Sequence, residues 1–122
     1  MKNLLLAAAA IVMLTTVANA DPFTSAYGNT LITTAPGGAK IVSYVNADGT
    51  WERHLPDGTV LKGTYAWKDA QTVCFTVTAP APKPGEQSSG CRPITGTHAV
   101  GDTWTETDPK GNPYTTTLTA GR

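Results

Sequence analysis

The stretch ADGTWERHLPDGTVLKGTYAW, residues 47–67, decides the fold that this sequence predicts. It contains two Asp-Gly steps, Asp48-Gly49 and Asp57-Gly58, and a run rich in β-branched and aromatic residues follows each of them. Asp-Gly between such runs is a strong signal of a tight hairpin turn, because glycine accepts the backbone angles that the turn needs. With the preceding run KIVSYV, the stretch predicts a three-stranded antiparallel meander over residues 40–67.

The third strand of this meander alternates between two kinds of residue. Successive side chains of a strand point to opposite faces, so every second residue shares a face. The face predicted to lie against the core carries Leu61, Gly63, Tyr65 and Trp67. The opposite face carries Val60, Lys62 and Thr64.

Outward from residues 47–67, the chain reads as short strands and turns. Nine prolines, twelve glycines and the lack of apolar residues at helical spacing after residue 21 argue against helices. The predicted strands are residues 30–35, 40–45, 50–55, 59–67, 72–78, 91–95, 102–107 and 114–119. The sequence therefore predicts one all-β domain over residues 21–122, a small antiparallel barrel or sandwich of about eight short strands in a meander. Residues 21–29 are expected to form a flexible N-terminal segment.

Two cysteines, Cys74 and Cys91, flank a proline-rich segment, and three interpretations compete. A catalytic dithiol usually has Cys-x-x-Cys spacing at the start of a helix, and the sequence offers neither. A structural zinc site needs four suitably spaced ligands, and His54 and His98 have no paired spacing. An even pair in an exported chain is most simply a disulfide. We therefore predict a Cys74–Cys91 disulfide that braces the loop of residues 79–90.

The first twenty residues have the features of a Sec-type signal peptide. Lys2 precedes an apolar run over residues 4–14, and a small-x-small pattern ends at Ala20. Cleavage is expected between Ala20 and Asp21, without later membrane insertion, so the mature chain should be periplasmic or secreted. Nine basic and nine acidic residues leave no charge excess that would attract nucleic acid.

The loop of residues 79–90, APAPKPGEQSSG, has no large apolar side chain to bury. Its central residues Pro82, Lys83 and Pro84 favour an extended polyproline conformation. One interpretation is a solvated connection between two strands. The other is a semi-rigid peptide presented to a protein partner, in the manner of a secreted inhibitor.

Aromatic side chains are few, and Trp51, Trp67 and Trp104 are the candidate binding residues among them, with Tyr65 close to Trp67 in sequence. One hypothesis is that they line a barrel mouth that takes a small apolar or sugar ligand. The alternative is that they fill a core for which aliphatic residues are sparse. Trp51 and Trp104 flank turns, so we expect this pair to be the more exposed.

No catalytic residue, metal site or cofactor is predicted. Glu52 and His54 should share a strand face and could tune an imidazole, but such pairs are typical of solvated surfaces. Glu106 and Asp108 also share a parity, although Asp108 before a proline is typical of a turn. The sequence contains no P-loop, dinucleotide-binding, zinc-protease or calcium-loop motif.

The motifs PDGT, GTYAW and VCFTV, followed by Cys91, resemble a pattern found in small secreted proteins of proteobacteria. Those proteins carry a Gly-x-Trp-like strand, then Cys-Phe, then a later cysteine, and the resemblance covers residues 49–92. It implies a secreted all-β fold and carries over no catalytic residue.

The expected function is therefore a non-catalytic binding or structural role in the cell envelope, with an unknown protein or a small apolar ligand as partner. A small-ligand-binding barrel is one alternative. A protein inhibitor that presents the loop of residues 79–90 is the other.

Overall fold

A computed structural model of the chain describes residues 21–94, 96–108 and 110–122. The predicted signal peptide, with its cleavage site after Ala20, lies outside the described residues. Thr95, the predicted last residue of one strand, also lies outside them.

The described chain is all-β, as predicted, with eight antiparallel strands after one short 3₁₀ turn at Thr24–Ala26. The strands are β1 (Thr30–Thr34), β2 (Lys40–Val45), β3 (Thr50–His54), β4 (Val60–Asp69), β5 (Thr72–Ala79), β6 (Ser89–Pro93), β7 (Thr103–Thr107) and β8 (Pro113–Thr119). Each predicted strand overlaps one observed strand.

The eight strands form one sheet in the order β6-β5-β4-β3-β2-β1-β8-β7. Strands β1 to β6 are a meander, and the hairpin of β7 and β8 adds to it through antiparallel pairing of β8 with β1. The sheet curls into a half-barrel whose described edges are β6 and β7. The structure is therefore a single curled sheet, an open form of the predicted antiparallel barrel, with a seam between β6 and β7.

The two Asp-Gly turns form the predicted hairpins. Gly49 and Gly58 each have a φ of 88°, in the left-handed region that glycine enters without strain. The Oδ1 atom of Asp48 accepts a hydrogen bond from Thr50 N at 3.0 Å, and Asp57 accepts one from Thr59 N at 2.9 Å. The meander over residues 40–67 is thus confirmed, with β3 between β2 and β4.

The disulfide between Cys74 and Cys91 is also confirmed, with an S–S distance of 2.07 Å. The two residues are direct register partners on β5 and β6. The bond closes a loop with a sequence separation of 17 and so reduces the entropy of the unfolded chain. For a loop of this size, the folded state is stabilised by about 3 kcal/mol. The bond therefore fixes edge strand β6 to the sheet at the base of the loop of residues 79–90.

The core draws on residues that precede the first strand. Its buried members are Phe23, Ala26, Val45, Val73 and Leu118. Phe23 is only 9% exposed, and its ring centroid lies 4.9 Å from that of Trp67. The expected flexible segment of residues 21–29 instead packs onto the half-barrel, because an aromatic side chain there covers the apolar end of the inner face.

Candidate functional site

The inner, concave face of the half-barrel contains a cleft of about 710 Å³. Seven aromatic or charged side chains that line the cleft come from strands β3, β5, β6, β7 and β8. They are Trp51, Arg53, Phe75, Arg92, Trp104, Glu106 and Tyr114. Phe23 from the N-terminal segment also borders this cleft.

Trp51 is held flat against the inner face by its neighbour strand. Its indole lies over Gly63, and its Nε1 atom donates a hydrogen bond to the carbonyl oxygen of Thr64 at 2.9 Å. The side chain is 7% exposed, so the expectation that it is one of the more exposed tryptophans is wrong. The missing side chain at Gly63 supplies the room that buries the indole, which still borders the cleft.

Trp104 is half-buried at the other side of the cleft, on edge strand β7. Its ring stacks on that of His98, with centroids 3.6 Å apart and planes 3° apart. Its Nε1 atom donates to Glu106 Oε1 at 3.2 Å. Trp104 is therefore oriented by a ring on one side and a carboxylate on the other.

Arg53 and Arg92, hereafter the arginine pair, enter the same cleft from β3 and β6. The guanidinium of Arg53 lies 5.7 Å from the Trp51 ring centroid, and that of Arg92 lies 5.7 Å from the Phe75 ring centroid. Burial lowers the pKa of Arg53, and the charge of Arg92 lowers it further. Arginine side chains in proteins are effectively always protonated, so the arginine pair carries two positive charges.

The Nε atom of Arg53 is buried and finds no hydrogen-bond partner within the described parts of the chain. Arg92 makes a long contact, with Nη1 3.4 Å from the Tyr114 hydroxyl. Neither arginine was predicted from the sequence to be a site residue. The sequence does contain one signal for Arg53. It lies two residues after Trp51, so on a strand its side chain points to the same face of β3.

Glu106 is a carboxylate that hydrogen-bonds to two other side chains of the cleft. It accepts the Trp104 indole N–H and also the Tyr114 hydroxyl, at 2.7 Å to Oε2. Burial raises the pKa of Tyr114, and the hydrogen bond to Glu106 raises it further, so the phenol is a proton donor at neutral pH. Glu106 does not pair with Asp108, which instead binds the backbone N–H groups of Lys110 and Asn112 in its own turn.

Glu52 and His54 do share a face, and this is the outer face of β3. His54 Nε2 lies 3.3 Å from Glu52 Oε2, and Lys62 Nζ lies 3.7 Å from Glu52 Oε1. The His54 ring also packs edge-on against Tyr44 at 5.5 Å. The pair thus lies on an interior strand of the sheet, between β2 and β4.

The remaining predicted binding residues lie away from the cleft. Trp67 packs into the core beside Phe23. Pro82, Lys83 and Pro84 are exposed on the loop of residues 79–90, where the N–H of Lys83 donates to Glu86 Oε2 at 3.1 Å. The structure therefore brings together Trp51 and Trp104 and separates both from Trp67 and from the loop.

Two further observations concern residues 21–94, 96–108 and 110–122. No group of three or more His, Cys, Asp or Glu side chains there could hold a metal ion. Nor does this part of the chain contain a helix long and apolar enough to cross a membrane. Comparison with protein-family models, curated proteins and solved structures finds no match to the chain.

Proposed function

We propose that this chain is a non-catalytic binding domain that holds a small ligand with an apolar body in the cleft of its half-barrel. Ligand pockets in proteins measure about 300 to 1,000 Å³ and are mostly apolar with a few polar groups. The cleft, at about 710 Å³, falls within that range. Its wall combines aromatic rings with a small number of polar groups, which is the same combination.

The observation that carries the proposal is that the inner face is left unfilled. An eight-stranded barrel is normally just wide enough for its inward side chains to fill it. Here three inward positions that border the cleft hold small side chains, Thr33, Ser43 and Thr116. The hydroxyls of Thr33 and Thr116 form a hydrogen bond with each other, with their oxygen atoms 3.2 Å apart. These short side chains do not fill the cleft. The aromatic rings therefore border open space that a ligand can occupy.

We further propose that the domain acts outside the cytoplasm, in the periplasm or after secretion. The disulfide between Cys74 and Cys91 supports this, because disulfides persist mainly in oxidising compartments. The signal-peptide pattern of residues 1–20 agrees with it. In this proposal the chain serves the cell envelope by carrying or sequestering its ligand.

The test is a titration of the oxidised protein, residues 21–122, with the neutral apolar dye N-phenyl-1-naphthylamine. Saturable enhancement of dye fluorescence with quenching of tryptophan emission is expected, since Trp51 and Trp104 border the cleft. The variant Ser43→Phe should fill the cleft and weaken dye binding by about ten-fold or more, which corresponds to about 1.4 kcal/mol. The matched control Thr76→Phe changes an exposed residue of β5 and should bind dye normally.

Absence of saturable binding, or equal binding by the two variants, contradicts the proposal. Melting curves of both variants check that the fold is kept, so a loss of binding reports on the cleft.

The inhibitor alternative has one observation in its favour. The loop of residues 79–90 is largely exposed, and the Cys74–Cys91 bond braces its base. Deleting residues 82–88 while keeping both cysteines separates the two functions. Under the cleft proposal the deletion variant binds the dye like the wild type, whereas an inhibitor loses its protein partner.

A further inference from the structure

The arginine pair is the feature of the cleft that the apolar ligand alone does not explain. Within the described ranges, neither guanidinium forms an ion pair with a carboxylate, and the ion pairs that are present join Glu52 to His54 and Lys62. A charged donor that loses water without gaining a partner destabilises a fold. The buried Nε atom of Arg53 is such a donor within the described residues, whereas Arg92 is exposed. Local violations of this kind are found mainly at functional sites.

The carboxylates that border the cleft are already engaged elsewhere. Glu106 accepts from Trp104 and Tyr114. Glu52 contacts His54 and Lys62 on the outer face. Asp108, the third carboxylate at the border, binds the N–H groups of its own turn. The donors of the arginine pair therefore remain available to a negative group that enters with the ligand.

The aromatic contacts of the arginine pair also leave its N–H donors available to a negative group. Each guanidinium lies over one ring, Arg53 over Trp51 and Arg92 over Phe75, and the two rings meet edge to face with centroids 6.2 Å apart. A cation over an aromatic face is partly stabilised and keeps its N–H groups directed outward in the plane of the guanidinium. The two positive groups thus flank one continuous apolar surface.

We propose that the cleft binds an amphipathic monocarboxylate, with its carboxylate held by Arg53 and Arg92 and its apolar body against Trp51 and Phe75. This inference rests on the proposed function and adds the chemical class of the ligand. Guanidinium groups bind carboxylates through paired N–H donors, and such charge-assisted bonds are roughly twice as strong as neutral ones. The Tyr114 hydroxyl lies 3.4 Å from Arg92 Nη1, so it is a neutral group beside one of these donors.

A carboxylate fits better than a doubly charged phosphate ester. The arginine pair contributes two positive charges, and Glu106 contributes one negative charge in the same cleft. Of the other two bordering carboxylates, Glu52 contacts His54 and Lys62 on the outer face, and Asp108 binds its own turn. A single negative charge on the ligand therefore balances the site, whereas a second would face Glu106. Like charges at close range are unfavourable in a partly desolvated site.

The experiment measures displacement of N-phenyl-1-naphthylamine by decanoate and by 1-decanol, which share an apolar chain and differ in the head. The wild type should bind decanoate about ten-fold tighter than decanol or more, a difference of about 1.4 kcal/mol. Arg53→Gln and Arg92→Gln should each remove most of that preference. Lys62→Gln on the outer face is the matched control for loss of one positive charge.

A second variant keeps the test independent of folding. Arg53→Met replaces an unpaired, half-buried cation by an apolar side chain of similar length, so its melting temperature should equal or exceed that of the wild type. It should nevertheless lose the preference for decanoate. A large drop in melting temperature would show instead that Arg53 serves the fold.

The outcomes separate this inference from the proposed function. Equal affinity for decanoate and decanol in wild type and variants overturns the carboxylate assignment and leaves the cleft as a neutral-ligand site. Failure of the dye and of both ligands to bind overturns the proposed function itself. Tighter binding of decyl phosphate than of decanoate overturns the choice of a single-charged head.

Discussion

An ideal Cβ atom built on Gly63 would lie 2.0 Å from the carbonyl oxygen of Thr76 and 2.5 Å from two atoms of the Trp51 indole. The backbone angles at this position are ordinary, so the constraint is space. A register shift between Lys62 and Gly63 brings β5 unusually close at this point. The glycine therefore allows both the sheet irregularity and the buried position of Trp51.

Replacing Gly63 with alanine should destabilise the fold by about 3 kcal/mol or more, because the added methyl group meets backbone that cannot move freely. Urea unfolding followed by tryptophan fluorescence measures the loss. Gly90→Ala is the matched control, since a Cβ at that strand position meets only the side chain of Gln87 at 3.6 Å. Similar unfolding midpoints for the two variants would show that the space at Gly63 is not limiting.

Residue positions in the site were only partly predictable from the sequence. Alternation along β3 directs Trp51 and Arg53 to the same face, and that much follows from local geometry. The contacts that bury the Trp51 indole and bring Arg92 near Arg53 depend on strands far apart in sequence. The arginine pair was not predicted, because Arg53 lies in the polar run Glu52-Arg53-His54 and nothing local distinguishes it from its neighbours.

At the scale of the hairpins, the turns share one local device. In four of them, an aspartate Oδ1 atom accepts a hydrogen bond from the backbone N–H two residues later. The acceptors are Asp48, Asp57, Asp69 and Asp108. Hydrogen bonds lower the pKa of each carboxyl below its usual range, chiefly from Thr50 to Asp48, from Thr59 to Asp57, from Gln71 to Asp69 and from Asn112 to Asp108. Ordinary aspartate in an unfolded chain titrates at about pH 3.9.

Because the folded pKa values are lower than the unfolded ones, the turns stabilise the fold fully above about pH 5 and lose that contribution as pH falls further. The free energy of unfolding should therefore decrease from about pH 5 to about pH 2. The double variant Asp48→Asn, Asp57→Asn keeps an acceptor at both turns and removes two titrating groups, so its decrease should be smaller. Urea titrations at a series of pH values measure both slopes.

The control for charge is Glu86→Gln, which removes a carboxylate from the exposed loop instead of from a hairpin. A pH slope of the double variant equal to that of the wild type would assign the acid sensitivity to other groups.

Strand positions were predictable because their signals are local. Asp-Gly turns, β-branched runs and period-two alternation each span a few residues, and they locate all eight strands. The disulfide was predictable from the spacing of the two cysteines and from the signal-peptide pattern of residues 1–20. The pairing of β1 with β8 was not, since Thr30 and Thr119 meet across almost the whole domain.

At the scale of the whole molecule, the half-barrel remains open between β6 and β7, and two features hold it in shape. The disulfide fixes β6 to the sheet. The N-terminal segment covers one end of the inner face, where the N–H of Phe23 donates to Asp21 Oδ1 at 2.9 Å and the Tyr27 hydroxyl lies 3.2 Å from that of Tyr65. The seam and this cover determine how much of the inner face stays free, and neither has a local sequence signal.

The cover can be tested through Phe23, whose ring contacts Tyr65, Trp67 and Phe75 and closes the core below the cleft. Phe23→Ala should lower the free energy of unfolding by about 3 to 5 kcal/mol, as expected for removing a buried aromatic side chain. Val100→Ala, which removes methyl groups from a side chain that is 47% exposed, should change stability by less than about 0.5 kcal/mol. Urea unfolding of both variants decides between an anchored segment and a flexible one. If residues 21–29 were flexible, Phe23→Ala would behave like the control; an anchored segment instead makes the domain dependent on residues that precede its first strand.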